Sequence, residues 1–189
     1  MNLVRCDAVE PQPWRNGGGL TRELLAWPSP DDWALRLSVA DIRADGPFSA
    51  FPGVERWFAV LQGHGVLLGL PEGRRSVETT DVPLSFRGES APHCELLDGP
   101  TRDLNLMIRR DAGRGAMQRA QIGDDFAPRA GFRALFTADA LTLQTGGSDA
   151  LHVPALALAW DASPVHAVWR IAADTPVRAW WIHFEPRPA

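Results

Sequence analysis

The sequence predicts an all-β protein with two antiparallel β lobes and little helix. In WALRLSVA, residues 33–40, large apolar side chains alternate with polar or small ones, as in a strand that buries one face. In RWFAVLQGHGVLLGL, residues 56–70, two apolar runs flank a Gly-His-Gly turn, which indicates a β-hairpin. No segment carries an apolar stripe at helical spacing over three turns.

Further short strands follow in DVPLSFRG and RDLNLMIRR, separated by the turn-rich GESAPHCELLDGPT. The apolar pattern fades over residues 111–131 and returns in FRALFTADALTLQTGG, ALHVPALALAW, PVHAVWRIA and PVRAWWIHFE. We therefore predict an N-terminal lobe over residues 1–110, a connection over 111–131 and a C-terminal lobe over 132–189.

Net charge, cysteine content and the lengths of the apolar runs limit the kinds of partner and compartment that the sequence predicts. The chain has 189 residues and a net charge of −4, so no overall positive field attracts a nucleic acid. Its two cysteines make neither a disulfide scaffold nor a four-ligand zinc site, which fits a reducing compartment. No apolar run approaches the ~18 residues of a membrane span. We expect a cytoplasmic protein without nucleic-acid or membrane partners.

The stretch PWRNGGGLTREL, residues 13–24, is the first candidate site. A phosphate-binding glycine loop needs a helix after it, whereas LTRELLAW alternates like a strand. Asn16-Gly17 favours a tight turn between two strands. Three glycines exceed what one turn requires, and hydrogen-bonding side chains flank them, so a turn and a ligand site both stay open.

Two other stretches are candidates for pocket walls. DGPFSAFPG, residues 45–53, is a loop stiffened by two prolines, and its phenylalanines either cap a core or line a pocket. In RDLNLMIRR, residues 102–110, Asp103, Asn105 and Met107 share one strand face. A barrel lumen that accepts a small polar ligand explains this row, and an amphipathic edge strand explains it nearly as well.

The sequence predicts no metal and no cofactor. None of its five histidines forms H-x-H or H-E-x-x-H, and no carboxylate stands beside them at ligand spacing on the same strand. A G-x-S-x-G nucleophile elbow is also absent. Other triads stay open, because their members meet only in three dimensions. The histidines are His64, His93, His152, His166 and His183.

Three segments of the chain resemble the HutD/Ves family in their order and spacing. They are PWRNGGGLTREL, DWALRLSVADIRADGPFSAFPGVERWFAVLQGHG and PLSFRGESAPHCELLDGPTRDLNLMIRR. The resemblance is strong over about the first 110 residues and weaker beyond them. It implies a bicupin, with two small jelly-roll β-barrel lobes, and an accessory or regulatory factor of histidine utilisation. It also implies a small carboxylic acid of that pathway as ligand, such as urocanate or formylglutamate, and no metal motif.

The resemblance assigns a set of ligand-binding residues to the three stretches. Arg15 stands where the family often has Lys, and its planar fork still suits a carboxylate, so its contact with ligand stays open. The set consists of Trp14, Asn16, Gly17, Gly18, Gly19, Thr21, Arg22, Glu23, Phe48, Ser49, Phe51, Arg56, Asn105 and Met107.

Three functions are compatible with these residues. The first is a metal-free binding protein, in which Arg22 or Arg56 counters the ligand carboxylate. The second is a metal-independent hydrolase or isomerase that uses Glu23 as general base, although nothing in the sequence demands an enzyme. The third is a protein-binding module with an exposed apolar patch. A homodimer is compatible with each, because cupin lobes often pair through exposed sheet edges.

Overall fold

Antiparallel strands account for nearly all of the regular structure. A computed structural model describes residues 1–127, 131–146, 150–163 and 167–187. Within these ranges the only helices are two three-residue 3-10 turns, Cys6–Ala8 and Gly88–Ser90. Neither is long enough to cross a membrane. The chain divides into an N-terminal unit, Val9–Ala112, and a C-terminal unit, Met1–Ala8 with Gly113–Ala189.

The N-terminal unit contains ten strands in two sheets. The first strand of the chain, β1 (Asn2–Arg5), belongs to the other unit. The ten strands are β2 (Gln12–Pro13), β3 (Gly19–Trp27), β4 (Leu35–Ile42), β5 (Gly46–Pro47), β6 (Val54–Gln62), β7 (Val66–Leu70), β8 (Gly73–Val77), β9 (Leu84–Arg87), β10 (His93–Leu96) and β11 (Thr101–Arg109). One sheet has the order β2-β3-β4-β11-β6-β9, and the other has the order β5-β10-β7-β8.

The core of the N-terminal unit lies between its two sheets. Ile42, Phe58 and Val60 of the six-stranded sheet cluster with Val66 and Leu68 of the four-stranded sheet. Each of these five side chains is at most 2% exposed. Period-two alternation places them on one face of their strands, which is why the sequence pattern already indicated them.

The C-terminal unit also has two sheets. Its strands after β1 are β12 (Gly113–Ala120), β13 (Phe132–Thr137), β14 (Leu141–Gln144), β15 (Ala150–Val153), β16 (Ala157–Asp161), β17 (Arg170–Ala172) and β18 (Ala179–Pro186). The sheet orders are β1-β16-β13-β18-β12 and β15-β14-β17. Aromatic rings fill the core: Phe126 stacks on Trp181 at 4.6 Å between centroids, and Trp169 is fully buried beside them.

The unit boundaries differ from the predicted ones in two places. Residues 1–8 were predicted in the N-terminal lobe, but β1 pairs with β16 of the C-terminal unit. Within the predicted connection 111–131, β12 pairs with β18 over its whole length. The sequence of this strand, GRGAMQRA (residues 113–120), has few large apolar side chains and therefore no hydrophobic alternation that would predict a strand. Its extended conformation is stabilised by backbone pairing with β18.

Gly17 and Gly18 lie in the hairpin turn between β2 and β3, and Gly19 begins β3. Trp14 N–H donates to Gly19 O at 2.9 Å, and Gly17 N–H donates to Trp14 O at 3.0 Å. Gly17 has a positive φ of 72°, and the Gly18 amide donates to the Asn16 side-chain oxygen at 3.0 Å. The chain then enters β3 and not a helix, as the alternation predicted.

Gly19 is required by close approach. A Cβ at Gly19 would lie 2.5 Å from Asp41 O and 3.1 Å from the Trp14 ring, so Gly19→Ala forces the hairpin away from β4. We expect a loss in the free energy of unfolding of roughly 1–3 kcal/mol, measured by urea denaturation. Gly69→Ala is the control, because its Cβ would meet nothing closer than 3.7 Å. Equal unfolding midpoints for both variants would contradict this account.

Candidate functional site

The N-terminal unit contains a cavity of about 600 Å³. Ile42 and Phe58 belong both to its lining and to the core cluster, so the cavity lies against that core. The lining residues are Pro13, Trp14, Arg15, Asn16, Thr21, Arg36, Ser38, Ala40, Ile42, Pro47, Phe48, Ser49, Phe51, Arg56, Phe58, Asn105 and Met107.

Strand register brings the polar lining residues of the sheet together. Asn105 of β11 stands opposite Ser38 of β4 on one side and Phe58 of β6 on the other. Two residues further along β11, Met107 stands between Arg36 and Arg56 in the same way. Because residues i and i+2 share a face, these side chains form two adjacent rows across three strands.

Arg56 is the most unusual residue of the cavity. It is only 6% exposed, and its Nε and Nη2 both donate to Asn105 Oδ1, at 3.2 and 2.9 Å. Its Nη1 is buried without a hydrogen-bond partner in the described part of the chain. Buried arginines are normally paired with a carboxylate, but among the described residues an amide oxygen is the only side-chain partner of Arg56.

Aromatic rings surround the Arg56 guanidinium. Its Cζ lies 5.0 Å from the Phe48 centroid, 5.8 Å from that of Phe51 and 5.1 Å from that of Phe86. Backbone hydrogen bonds of Phe48 to Pro92 O and of Phe51 to Gly88 O hold the loop that carries two of these rings. Ring faces attract a cation, yet burial still lowers the pKa of Arg56 to about 10.

The cavity lining is positively charged. It includes three arginines and, among the residues described, no Asp or Glu. Arg36 is neutralised from outside the lining, because its Nε donates to Glu23 Oε2 at 2.8 Å and its Nη2 contacts the same oxygen. Arg15 is exposed, and the described residues offer its side chain neither an ion pair nor a hydrogen bond. The cavity is therefore suited to an anion.

The structure brings most of the predicted ligand-binding residues to this cavity. The three glycines shape the β2–β3 turn without lining it. Arg22 follows Thr21 on β3 and projects from the other face, where its Nη1 donates to Asp41 at 2.8 Å. Glu23 lies outside the lining, paired with Arg36. The predicted residues that line the cavity are Trp14, Asn16, Thr21, Phe48, Ser49, Phe51, Arg56, Asn105 and Met107.

Sequence reasoning missed the contribution of β4. Arg36, Ser38 and Ala40 alternate with buried Leu37 and Val39, and WALRLSVA already showed this polar row. The pattern did not show that the polar row faces a cavity and not solvent, because both placements give the same alternation. Pro13, Ile42, Pro47 and Phe58 were also outside the predicted set, and Arg15 was left open.

Asp103 lies on the same face of β11, two residues before Asn105, and is fully buried. Thr101 Oγ donates to Asp103 Oδ2 at 2.8 Å, whereas Oδ1 has no hydrogen-bond partner among the described residues. Burial raises the pKa of Asp103 well above its usual value. The protonated form of this carboxyl is thereby favoured.

Metal-ligand geometry is not found in the part of the chain that the structure describes. There, no three side chains of the His, Cys, Asp and Glu types come close enough together to hold an ion. His166 lies outside the described residues. Within the described residues neither Cys6 nor Cys94 forms a disulfide, both are buried, and burial raises the pKa of Cys94 to about 12. The absence of metal and cofactor stays a prediction.

The two-sheet units and the cavity beside the core define the class of protein. The chain resembles solved cupin-fold proteins over nearly its whole length: protein Ylba from E. coli superposes with a TM-score of 0.69, covering 99% of this chain and 91% of that one. At 7% sequence identity, this likeness shows the fold alone. The predicted all-β cupin fold with little helix is confirmed.

The sequence profile of the HutD family matches residues 7–177, and the chain belongs to that family. HutD from Pseudomonas fluorescens SBW25, solved in a formate condition, superposes with a TM-score of 0.87 at 26% identity and covers 99% of both chains. The predicted family is confirmed.

Curated relatives match over part of their length. An uncharacterized 21.2 kDa protein in the hutC 3′ region of Pseudomonas putida is 38% identical over 62% of this chain and 63% of its own. Protein Ves from Citrobacter koseri is 42% identical over 52% of each chain. The aligned part therefore spans less than two thirds of either relative.

Asp103→Asn tests the buried carboxyl. The unfolded chain releases the Asp103 proton near pH 4, while the folded chain keeps it to higher pH, so this residue lowers stability as pH rises above about 4. We expect the variant to gain on the order of 1 kcal/mol or more over the native chain at pH 7 and little near pH 4, by urea unfolding. Asp31→Asn removes an exposed carboxyl as control. If the difference in the free energy of unfolding between Asp103→Asn and the native chain does not increase with pH, the account is contradicted.

Proposed function

We propose that this chain binds a small carboxylic acid at Arg56 and acts as an accessory or regulatory factor in histidine utilisation. One observation carries the proposal. Arg56 is an almost fully buried cation that lines the cavity, and its Nη1 has no hydrogen-bond partner in the described part of the chain. A buried, unpaired charge is costly, and a bound anion would offset that cost.

The hydrogen bonds of Arg56 indicate how an acid would bind. Asn105 Oδ1 occupies Nε and Nη2, so the usual bidentate fork toward a carboxylate is taken. A ligand oxygen would therefore pair with Nη1, and because that atom is buried, binding would require a small shift of the Arg56 side chain or of a neighbouring ring. The hydroxyls of Ser38 and Ser49 line the same cavity and are suitable donors for the second oxygen.

The cavity walls suit a small organic acid. Trp14 Nε1 donates to Thr21 Oγ at 2.7 Å, which fixes the indole as one apolar wall. Phe48 and Phe51 supply the facing apolar surface. A volume of about 600 Å³ lies within the usual range for small-molecule sites, roughly 300–1,000 Å³. Urocanate and formylglutamate both combine a carboxylate with polar atoms that the hydroxyl and amide groups could bind.

The relatives support the proposed pathway and ligand class. The Pseudomonas putida relative is named for its place in the hutC region, and HutD of Pseudomonas fluorescens was solved in a formate condition. Formate is the smallest carboxylate. A cytoplasmic location, the lack of a nucleic-acid partner and a homodimer stay predictions.

A catalytic role finds less support than binding. The candidate base Glu23 accepts hydrogen bonds from Arg36 and does not line the cavity. The described lining residues include no Asp, Glu or His that could serve as a general base. The chemistry available in the cavity is recognition of an anion.

Arg56→Met tests the proposed carboxylate contact. The substitution keeps an apolar stem beside Phe48 and Phe86 but removes the cation, so affinity for urocanate and formylglutamate should fall at least ~10-fold, the effect of a lost charged hydrogen bond. Isothermal titration calorimetry on the full chain measures it. Arg22→Met is the matched control and should leave affinity unchanged, because Arg22 pairs with Asp41 away from the cavity.

Folding of the Arg56 variant is checked separately by its unfolding transition. Arg56→Lys keeps the charge without the planar fork and should bind with intermediate affinity. Native affinity in a folded Arg56→Met variant, or an equal loss in Arg22→Met, would disprove the role assigned to Arg56. If the native chain binds neither acid nor formate, the proposed function is wrong.

A further inference from the structure

Three arginines line the cavity, but they are not equally neutralised. Glu23 neutralises Arg36 through the hydrogen bond from Nε at 2.8 Å. Arg56 has an amide as its only side-chain hydrogen-bond partner, and Arg15 has no side-chain partner at all, in both cases among the described residues. The cavity therefore presents two cations that the described side chains leave without a carboxylate.

The two cations differ in burial. Arg56 is almost fully buried, packed among the three phenylalanine rings that surround its guanidinium. Arg15 is exposed and stands in the β2–β3 turn, next to Trp14 and Asn16, which also line the cavity. An acid held at Arg56 would thus extend from a buried cation toward an exposed one.

We infer that the ligand of this cavity is a dianion, a dicarboxylic acid with one carboxylate at Arg56 and the other at Arg15. Of the two acids proposed above, formylglutamate carries two carboxylates and urocanate only one, so the inference favours the first. The inference rests on the proposed function and adds a second recognition residue to it. Arg15 lines the same cavity as Arg56 and has no acidic partner among the described residues, so its guanidinium is available to pair with a second carboxylate of the ligand. Arg15 thereby becomes the residue that selects dicarboxylic over monocarboxylic acids.

Calorimetry with matched acids tests the inference on the full chain. The probes are the straight-chain dicarboxylates succinate, glutarate, adipate and pimelate, each with its own monoamide, which replaces one carboxylate by a neutral group of the same shape. For at least one chain length, we expect the native protein to bind the dicarboxylate about 10-fold more tightly than its monoamide, since a hydrogen bond between charged groups is stronger than a neutral one.

The Arg15→Gln variant should reduce this ratio of affinities to near one. Arg75→Gln is the matched control, because it removes an exposed positive charge from β8, outside the cavity lining, and should leave the ratio unchanged. A loss of the ratio in Arg75→Gln as well would mean that overall charge causes it, and would overturn the role of Arg15.

The other outcomes separate this inference from the proposed function. If each dicarboxylate and its monoamide bind the native chain equally, the dianion is wrong and the carboxylate site at Arg56 stands. If a preference exists but survives in Arg15→Gln, Arg15 is not the second contact. If none of these straight-chain acids binds while urocanate or formate does, the dianion is wrong and the carboxylate site stands; if urocanate, formylglutamate and formate also fail to bind, both the site and the inference are wrong.

Discussion

The N-terminal unit depends on one constraint: a guanidinium is buried without a carboxylate partner. Strand β6 carries Arg56 into the interior, β11 supplies the Asn105 oxygen, and the proline-stiffened loop before β6 supplies Phe48 and Phe51. The aromatic rings and the Asn105 amide replace only part of the hydration that the Arg56 guanidinium loses on burial. Burial therefore still lowers the pKa of Arg56. The remaining electrostatic cost is the physical basis of the proposal that the cavity binds an anion.

Other arginines of the same unit differ from Arg56 because they pair with acidic side chains. Arg22 and Arg102 share Asp41, and although burial opposes it, their hydrogen bonds lower the pKa of that carboxyl. Arg36 has Glu23. Among the described residues, Arg22, Arg36 and Arg102 thus each pair with an acidic side chain, whereas buried Arg56 and exposed Arg15 do not. The C-terminal unit instead fills its core with stacked Phe126 and Trp181.

Much of the fold could be predicted from the sequence, because apolar and polar residues alternate along a strand that buries one of its faces. The strands β4, β6, β7 and β11 follow this pattern, and their positions agree with the predicted ones. The strands β1 and β12 do not show this alternation. Their strand conformation is evident only from the pairing of β1 with β16 and of β12 with β18. The predicted limits at residues 1–8 and 111–131 differ from the observed units for that reason.

The sequence by itself determined the all-β class, the family and the three stretches that hold most of the cavity lining, because alternation and motif spacing are local properties. It left Arg22 and Arg56 as alternative cations for a ligand carboxylate, and Glu23 as a candidate general base. Only the tertiary structure separated them: strand register and side-chain pairing give Arg22 to Asp41 and Glu23 to Arg36. Whether a charge is neutralised depends on residues distant along the chain, and no local pattern contains that information.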